Sequence, residues 1–311
     1  MTSIRRAPKR QVLGVTIREH RIPSPDSKPY IAVQGPDGAL WFCESGAGKI
    51  GRFDPDTASF TEFALPAKDA TPIGITTGAD GNLWFAEKAA NKIGRITPRG
   101  GIAEFPLPTP HAGPDGMFLG PDGNVWFSES EASRIGKITP AGRVTEYSDG
   151  ITPGSKPLSI AVRGGVLWFT EAAGNRIGRI TVEGDVTEIP IPSPDSQPRA
   201  MVIHPDGGLW FVETSTDALG RVDGSNHITE HPVPTRNASL RGVTVDAEGD
   251  LWYTANFANK IGRMGSNGVA LGEYDIPTPA SGPRCIAAFA DGRLFFTQYD
   301  AGLIGEVIVG E

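Results

Sequence analysis

Leu83-Trp84-Phe85-Ala86-Glu87, followed after three residues by Asn91-Lys92-Ile93-Gly94-Arg95, returns with small changes along the whole chain. Its anchoring aromatic recurs at Trp41, Trp84, Trp126, Trp168, Trp210, Trp252 and, in altered form, Phe295. The spacings are 43, 42, 42, 42, 42 and 43 residues. A fixed period of this length built from short β-branched and aromatic runs marks an array, and the architecture follows from counting its units. There are seven.

One unit reads as four strands. Gly74-Ile75-Thr76-Thr77 is a β-branched run, and Ala79-Asp80-Gly81-Asn82 is a tight turn. Leu83 to Ala86 forms the second strand, Ile93 to Thr97 the third, and Ile102 to Leu107 the fourth, ended by prolines. No window carries apolar residues at helical spacing, and Gly or Pro interrupts about every ten residues. The 40 glycines and 27 prolines sit at fixed phases, which makes them turn residues. Four antiparallel strands repeated radially predict an all-β fold, a seven-bladed β-propeller occupying residues 1–311 as one domain. Ile17 to Ser27 matches the fourth-strand segment Val186 to Ser196, with no first three strands before it. Leu303 to Ile308 is a third strand with no fourth after it. The N-terminal strand is therefore expected to complete the last blade and close the ring. Residues 1–14, basic and polar, are expected to form a flexible tail.

The net charge of -7 and pI near 5.4 argue against a nucleic-acid partner. No apolar run reaches the length of a membrane span or a signal segment, so a cytoplasmic monomer is expected. Cys43 and Cys285 fall in slots filled by small residues in the other units and read as packing residues.

In a repeat, residues common to every unit belong to the scaffold, and pattern breaks facing a shared site are functional candidates. Two phases matter. One opens the innermost strand: Tyr30, Ile73, Asp115, Leu158, Arg199, Arg241 and Arg284. The other ends the second strand: Glu44, Glu87, Glu129, Glu171, Glu213, Ala255 and Gln298. Both are expected at the same mouth of the central channel. The glutamates read either as acceptors of backbone N–H bonds between blades or as an acidic ring for a cation. Arginine heads about 8 Å apart on consecutive blades repel by roughly 2 kcal/mol per pair at an effective dielectric of 20. Either Glu213 and Asp115 pair with them, or they await a carboxylate or phosphate held by bidentate hydrogen bonds. Arg199, Arg241, Arg284 and Gln298 are the substrate-binding candidates; Tyr30, Asp115 and Tyr299 are the catalytic candidates. The five histidines do not converge, and no nucleophile triad, phosphate loop or Cys/His metal spacing is present. The basic residues of the Ile-Gly-Arg repeats recur in every complete unit and read as scaffold.

The motif Leu-Trp-Phe-x-Glu…Asn-Lys-Ile-Gly-Arg-Ile, with Pro-x-Gly-Ile before it and Glu-Phe-x-x-Pro after, resembles the virginiamycin B lyase (streptogramin lyase) family from about residue 15 to 309. The resemblance implies a seven-bladed propeller that opens a cyclic depsipeptide antibiotic by Mg²⁺-assisted β-elimination. The family's first-blade tyrosine is matched by Tyr30. Its blade-six histidine falls at Arg241 and its catalytic blade-seven histidine at Arg284. The glutamate two residues before the latter falls at Gly282, and the late blade-seven glutamate near Tyr299. Arginine neither accepts a proton at neutral pH nor ligates Mg²⁺. No metal or cofactor is therefore expected, Mg²⁺ only if its site is rebuilt from other residues. Three readings stand: a lyase-type enzyme acting on an anionic small molecule, a non-catalytic ligand- or partner-binding propeller, and a Mg²⁺-dependent streptogramin B lyase.

Overall fold

The computed structural model describes residues 14–67 and 69–310. They form seven four-stranded antiparallel sheets and no helix. Blade one is Pro29–Gln34, Leu40–Glu44, Lys49–Asp54 and Ser59–Ala64, and each later unit repeats that order from the channel outward. The exception is blade seven, where Pro283–Ala288, Leu294–Gln298 and Leu303–Val309 are completed by Val15–Arg21. That closing strand runs antiparallel to Leu303–Val309, pairing Val15 with Val309 through to Arg21 with Leu303. The expected tail falls almost wholly on residues 1–13, outside the described residues.

Apolar alternation within the second strand explains how blades stack. Trp41 faces forward and packs with Leu83, Phe85 and Ile96 of blade two. Phe42, one residue on, faces back and packs with Phe295 of blade seven. Successive strand residues point to opposite faces, so every second strand serves two junctions. Five of the six tryptophans also carry a cation over the ring, and Trp41 instead stacks on Phe63 at 5.5 Å. Arg95 lies 5.3 Å over the Trp84 ring, and Lys137 lies 4.9 Å over Trp126. Trp84 Nε1 donates to Asp80 of the tight turn. In blades two to six the repeated basic residue is thus a cation–π lid on its own blade's tryptophan, which agrees with its scaffold reading.

The outer strands add a second fastening. In five junctions an outer-strand glutamate accepts the backbone N–H and the hydroxyl of a Ser or Thr in the loop leaving the previous blade, and in a sixth Glu62 accepts from Ser24 N at 3.1 Å. Thr152 donates both to Glu188 at 2.6 and 2.7 Å, and Thr278 donates both to Glu19 of the closing strand at 3.1 and 2.9 Å. At the blade-one to blade-two junction the slot holds Ala67, and Glu104 Oε1 is buried without a partner.

Candidate functional site

The inner strands are built to aim one residue each into the channel. Each is entered through a residue in the left-handed region, with φ from 47° at Lys28 to 66° at Gly282. In every blade the pairing register then breaks within the next three residues, as between Pro29 and Ala32 or Leu240 and Val243. Such a bulge turns the strand locally and re-aims its side chain. Hydroxyls from the neighbouring second strands fix the result. Thr254 Oγ1 accepts from Gly242 N and donates to the Arg284 carbonyl, both at 2.8 Å. Thr297 Oγ1 does the same between Cys285 N and the Tyr30 carbonyl at 3.0 and 2.8 Å.

These residues enclose about 690 Å³ of empty space, counting its open mouth. Tyr30, Asp115, Arg199, Arg241 and Arg284 line it together. The Nε atoms of all three arginines are buried without a protein partner. Among the described residues none of the three arginines forms an ion pair. Burial first, and then the charges of Arg199 and Arg284, push Arg241 down to about 10. Arg284 is braced by rings: its guanidinium lies 3.8 Å from the Tyr299 centroid and 5.0 Å from that of Tyr30. The two tyrosines meet edge to face at 5.9 Å. Tyr299 thus supports Arg284 and does not itself line the cavity.

Asp115 is committed. Lys88 Nζ lies 3.0 Å from its carboxylate and 2.9 Å from the Ser130 hydroxyl. Burial pushes the Asp115 carboxyl above its ordinary range, against the pull of Lys88, Arg199 and Lys156. Burial alone would lower Lys88, but Asp115 and Glu131 outweigh it and hold the amine raised. Lys88 escaped the sequence reading because it stands one residue beyond the glutamate phase. The same rule applied there would have found it: the slot holds Ser45, Ser130, Ala172, Thr214, Asn256 and Tyr299 in the other blades.

The second-strand glutamates are neither a cation ring nor acceptors for backbone N–H groups. Glu44, Glu87, Glu129, Glu171 and Glu213 are fully buried within their blades. Glu44 Oε1 lies over Gly51 of the third strand, beside the outer strand and away from the channel. Burial foremost, and then the outer-strand Glu62, push Glu44 up to about 8. Glu129 is raised to about 8 in the same way beside Glu146. In blade six, where Ala255 removes the carboxyl, Tyr253 replaces phenylalanine and its hydroxyl donates to Glu273 at 2.9 Å. Gln298 holds the same buried slot in blade seven, fully enclosed and absent from the channel lining. The break in the glutamate row is therefore a repacking of the blade and no part of the mouth. Both cysteines are packing residues: Cys43 is fully buried, and the Cys285 sulfur accepts from Ala32 N.

Gly282 closes one further position. A Cβ there would stand 2.1 Å from Asp300 Oδ2, so Asp300 occupies the space that a side chain at 282 would need. Among the described residues no group of three or more His, Cys, Asp or Glu is placed to hold a metal.

The same frame is found in known proteins. A streptogramin B lyase structure superposes with a TM-score of 0.90 at 35% identity, covering 95% of this chain and 98% of that one. A catalytically inactive variant of virginiamycin B lyase from Staphylococcus aureus, with quinupristin, superposes with a TM-score of 0.90 at 39% identity, covering 95% and 100%. A virginiamycin B lyase of Saccharopolyspora erythraea is 51% identical over 41 residues, a stretch that covers only 14% of that relative. The model of the virginiamycin B lyase family matches residues 9–163 and 119–311. Matched by that family model along nearly its whole length and superposing on two of these lyases over 95% of its residues, the chain belongs to the virginiamycin B lyase family.

Proposed function

We propose that this propeller is a lyase-type enzyme acting on an anionic small molecule held at the channel mouth by Arg199, Arg241 and Arg284. One observation carries the reading: three guanidinium groups converge on one cavity with their Nε donors sealed and unpaired. Buried donors without acceptors are costly, and like charges together cost more. An anion in the cavity offsets the second cost. Carboxylates and phosphates match the planar donor geometry of arginine.

In an elimination, a base takes a proton from the carbon beside a carboxylate, and the electron pair forms the double bond. The leaving oxygen departs with the C–O bonding electrons and takes up a proton. The arginines would hold the carboxylate and stabilise the charge that builds on it. Tyr30 would move the proton: it lines the cavity next to Arg284, whereas Asp115 is occupied by Lys88. The Mg²⁺ that the resemblance implies does not suit these residues. Arg241 and Arg284 put cations, and Gly282 puts no ligand, where the family has histidines and a glutamate. We therefore expect turnover to be unaffected by EDTA.

The non-catalytic reading rests on the same Lys88–Asp115 pair, which leaves no free carboxylate or histidine in the cavity as a base. The deciding experiment is a screen of carboxylates, phosphates and divalent cations by thermal shift, followed by turnover assays on the hits. A ligand that binds only the folded state raises Tm by mass action. Stabilisation by anions, lost in Arg241→Ala/Arg284→Ala, supports the site, and product formation then separates enzyme from binder. Stabilisation by Mg²⁺ alone would sink the reading.

A further inference from the structure

The mouth is two-sided, and its asymmetry narrows the ligand class. Blades five, six and seven each place an arginine at the first channel-facing position. The wall contributed by the other blades is largely apolar, with Ile31, Met117, Leu158 and Ile160, and carries the Tyr30 phenol beside Arg284. Gly74 and Gly116 also line it and contribute no side chain. The one charged group on that side, Asp115, is already paired with Lys88 at 3.0 Å. Ser159 is the one hydroxyl-bearing aliphatic side chain in the lining, and its oxygen accepts from Met201 N at 3.3 Å.

A ligand rich in hydroxyls or carrying several phosphates would press polar groups against a wall with almost nothing to receive them. Burying such groups unpaired is unfavourable. An apolar body gains there by leaving water. Ligand sites ordinarily hold small organic molecules by a few polar groups that fix orientation and apolar walls that supply contact area.

We propose that the ligand is an amphipathic monocarboxylate, its carboxylate on the arc of Arg199, Arg241 and Arg284 and its aliphatic or aryl body against Leu158, Met117, Ile31 and Ile160. This rests on the anion-binding reading of the mouth and adds the substrate class to it.

The test is isothermal titration of the full chain with acetate, hexanoate, 3-phenylpropanoate, the neutral 3-phenylpropanamide and inorganic phosphate. Affinity rises roughly threefold per methylene from acetate to hexanoate. The neutral amide binds at least about tenfold more weakly than 3-phenylpropanoate, because it offers the guanidinium groups no charge. Arg241→Gln weakens all the carboxylates by a similar factor. Leu158→Asn flattens the chain-length series and leaves acetate unchanged; Leu158→Ser replaces it if the asparagine variant does not fold. If acetate and hexanoate bind alike, or phosphate binds more tightly than 3-phenylpropanoate, the apolar-body assignment is wrong and the anion site stands. If the amide equals the carboxylate, or no probe binds, both fall together.

Discussion

Single residues explain why the repeat tolerates so little change. The glycine of each Ile-Gly-Arg motif lies under the aromatic ring of the neighbouring second strand: a Cβ on Gly136 would stand 2.3 Å from Phe127 Cε2 and Cζ. The glycine is there for close approach, since its backbone is extended and a positive φ is not needed. Gly136→Ala should lower stability by about 1–3 kcal/mol, the usual cost of overfilling a packed core. Gly224, in an open turn with nothing within 4 Å of a Cβ, is the control. Gly224→Ala should be neutral or stabilising by up to about 1 kcal/mol through the unfolded chain. Urea melts of the two variants check the contrast, and equal losses would refute it. At this scale the arginines were legible because they break a repeated phase. Gln298 broke one too, but which face a strand residue presents depends on the twist and register of its neighbours. Those the repeat period does not reveal.

At the scale of elements, blades are fastened by an aromatic row inside and a glutamate clasp outside. The clasp between blades one and two is incomplete, because Ala67 has no hydroxyl and Glu104 Oε1 is left unpaired in a buried site. A hydrogen bond to a charged group is worth about 1.5–3 kcal/mol at best, less after ordering the donor. Ala67→Thr should therefore stabilise the propeller by about 1 kcal/mol, seen as a higher Tm. Thr152→Ala, which empties a filled clasp, should destabilise by about the same amount or more. A null result for both would mean the clasps are idle. The ring closure belongs to this scale and was plain in the sequence: a fourth strand without its first three, and a third strand without its fourth. The clasp was not, because its two halves lie in different repeats and meet only when blades stack.

For the whole molecule the buried glutamates set a pH dependence. Glu44 and Glu129 titrate near 8, and Glu87, Glu171 and Glu213 near 7, against 4.5 for an unhindered glutamate. Burial is the leading cause in each case. Between those values the folded protein holds protons that the unfolded chain has released, so unfolding releases protons and rising pH favours it. Their contribution is complete below about pH 4.5 and is lost as pH rises through 7 to 8. Carboxylates held low in the turns, such as Asp80 and Asp122, act in the opposite sense and lose their contribution under strong acid. Tm should therefore peak in mildly acidic solution and fall toward pH 8. Glu129→Gln, which copies the glutamine that blade seven already carries at 298, should flatten that fall and raise Tm at pH 8. A Tm that climbs steadily from pH 5 to pH 8 would contradict the assignment.

The sequence by itself determined the blade, the number of blades, the ring closure and the arginines at one phase of the inner strand. Each of these is periodic or a break in a period, and period is what a linear chain records. Only the tertiary structure decided that the glutamates turn inward to the blade, that Lys88 occupies Asp115, that Tyr299 braces Arg284, and that the mouth is cationic on one side and apolar on the other. Those facts depend on the bulges that re-aim side chains and on contacts between strands of one blade or of neighbouring blades. Such contacts arise only when strands fold into blades and blades stack.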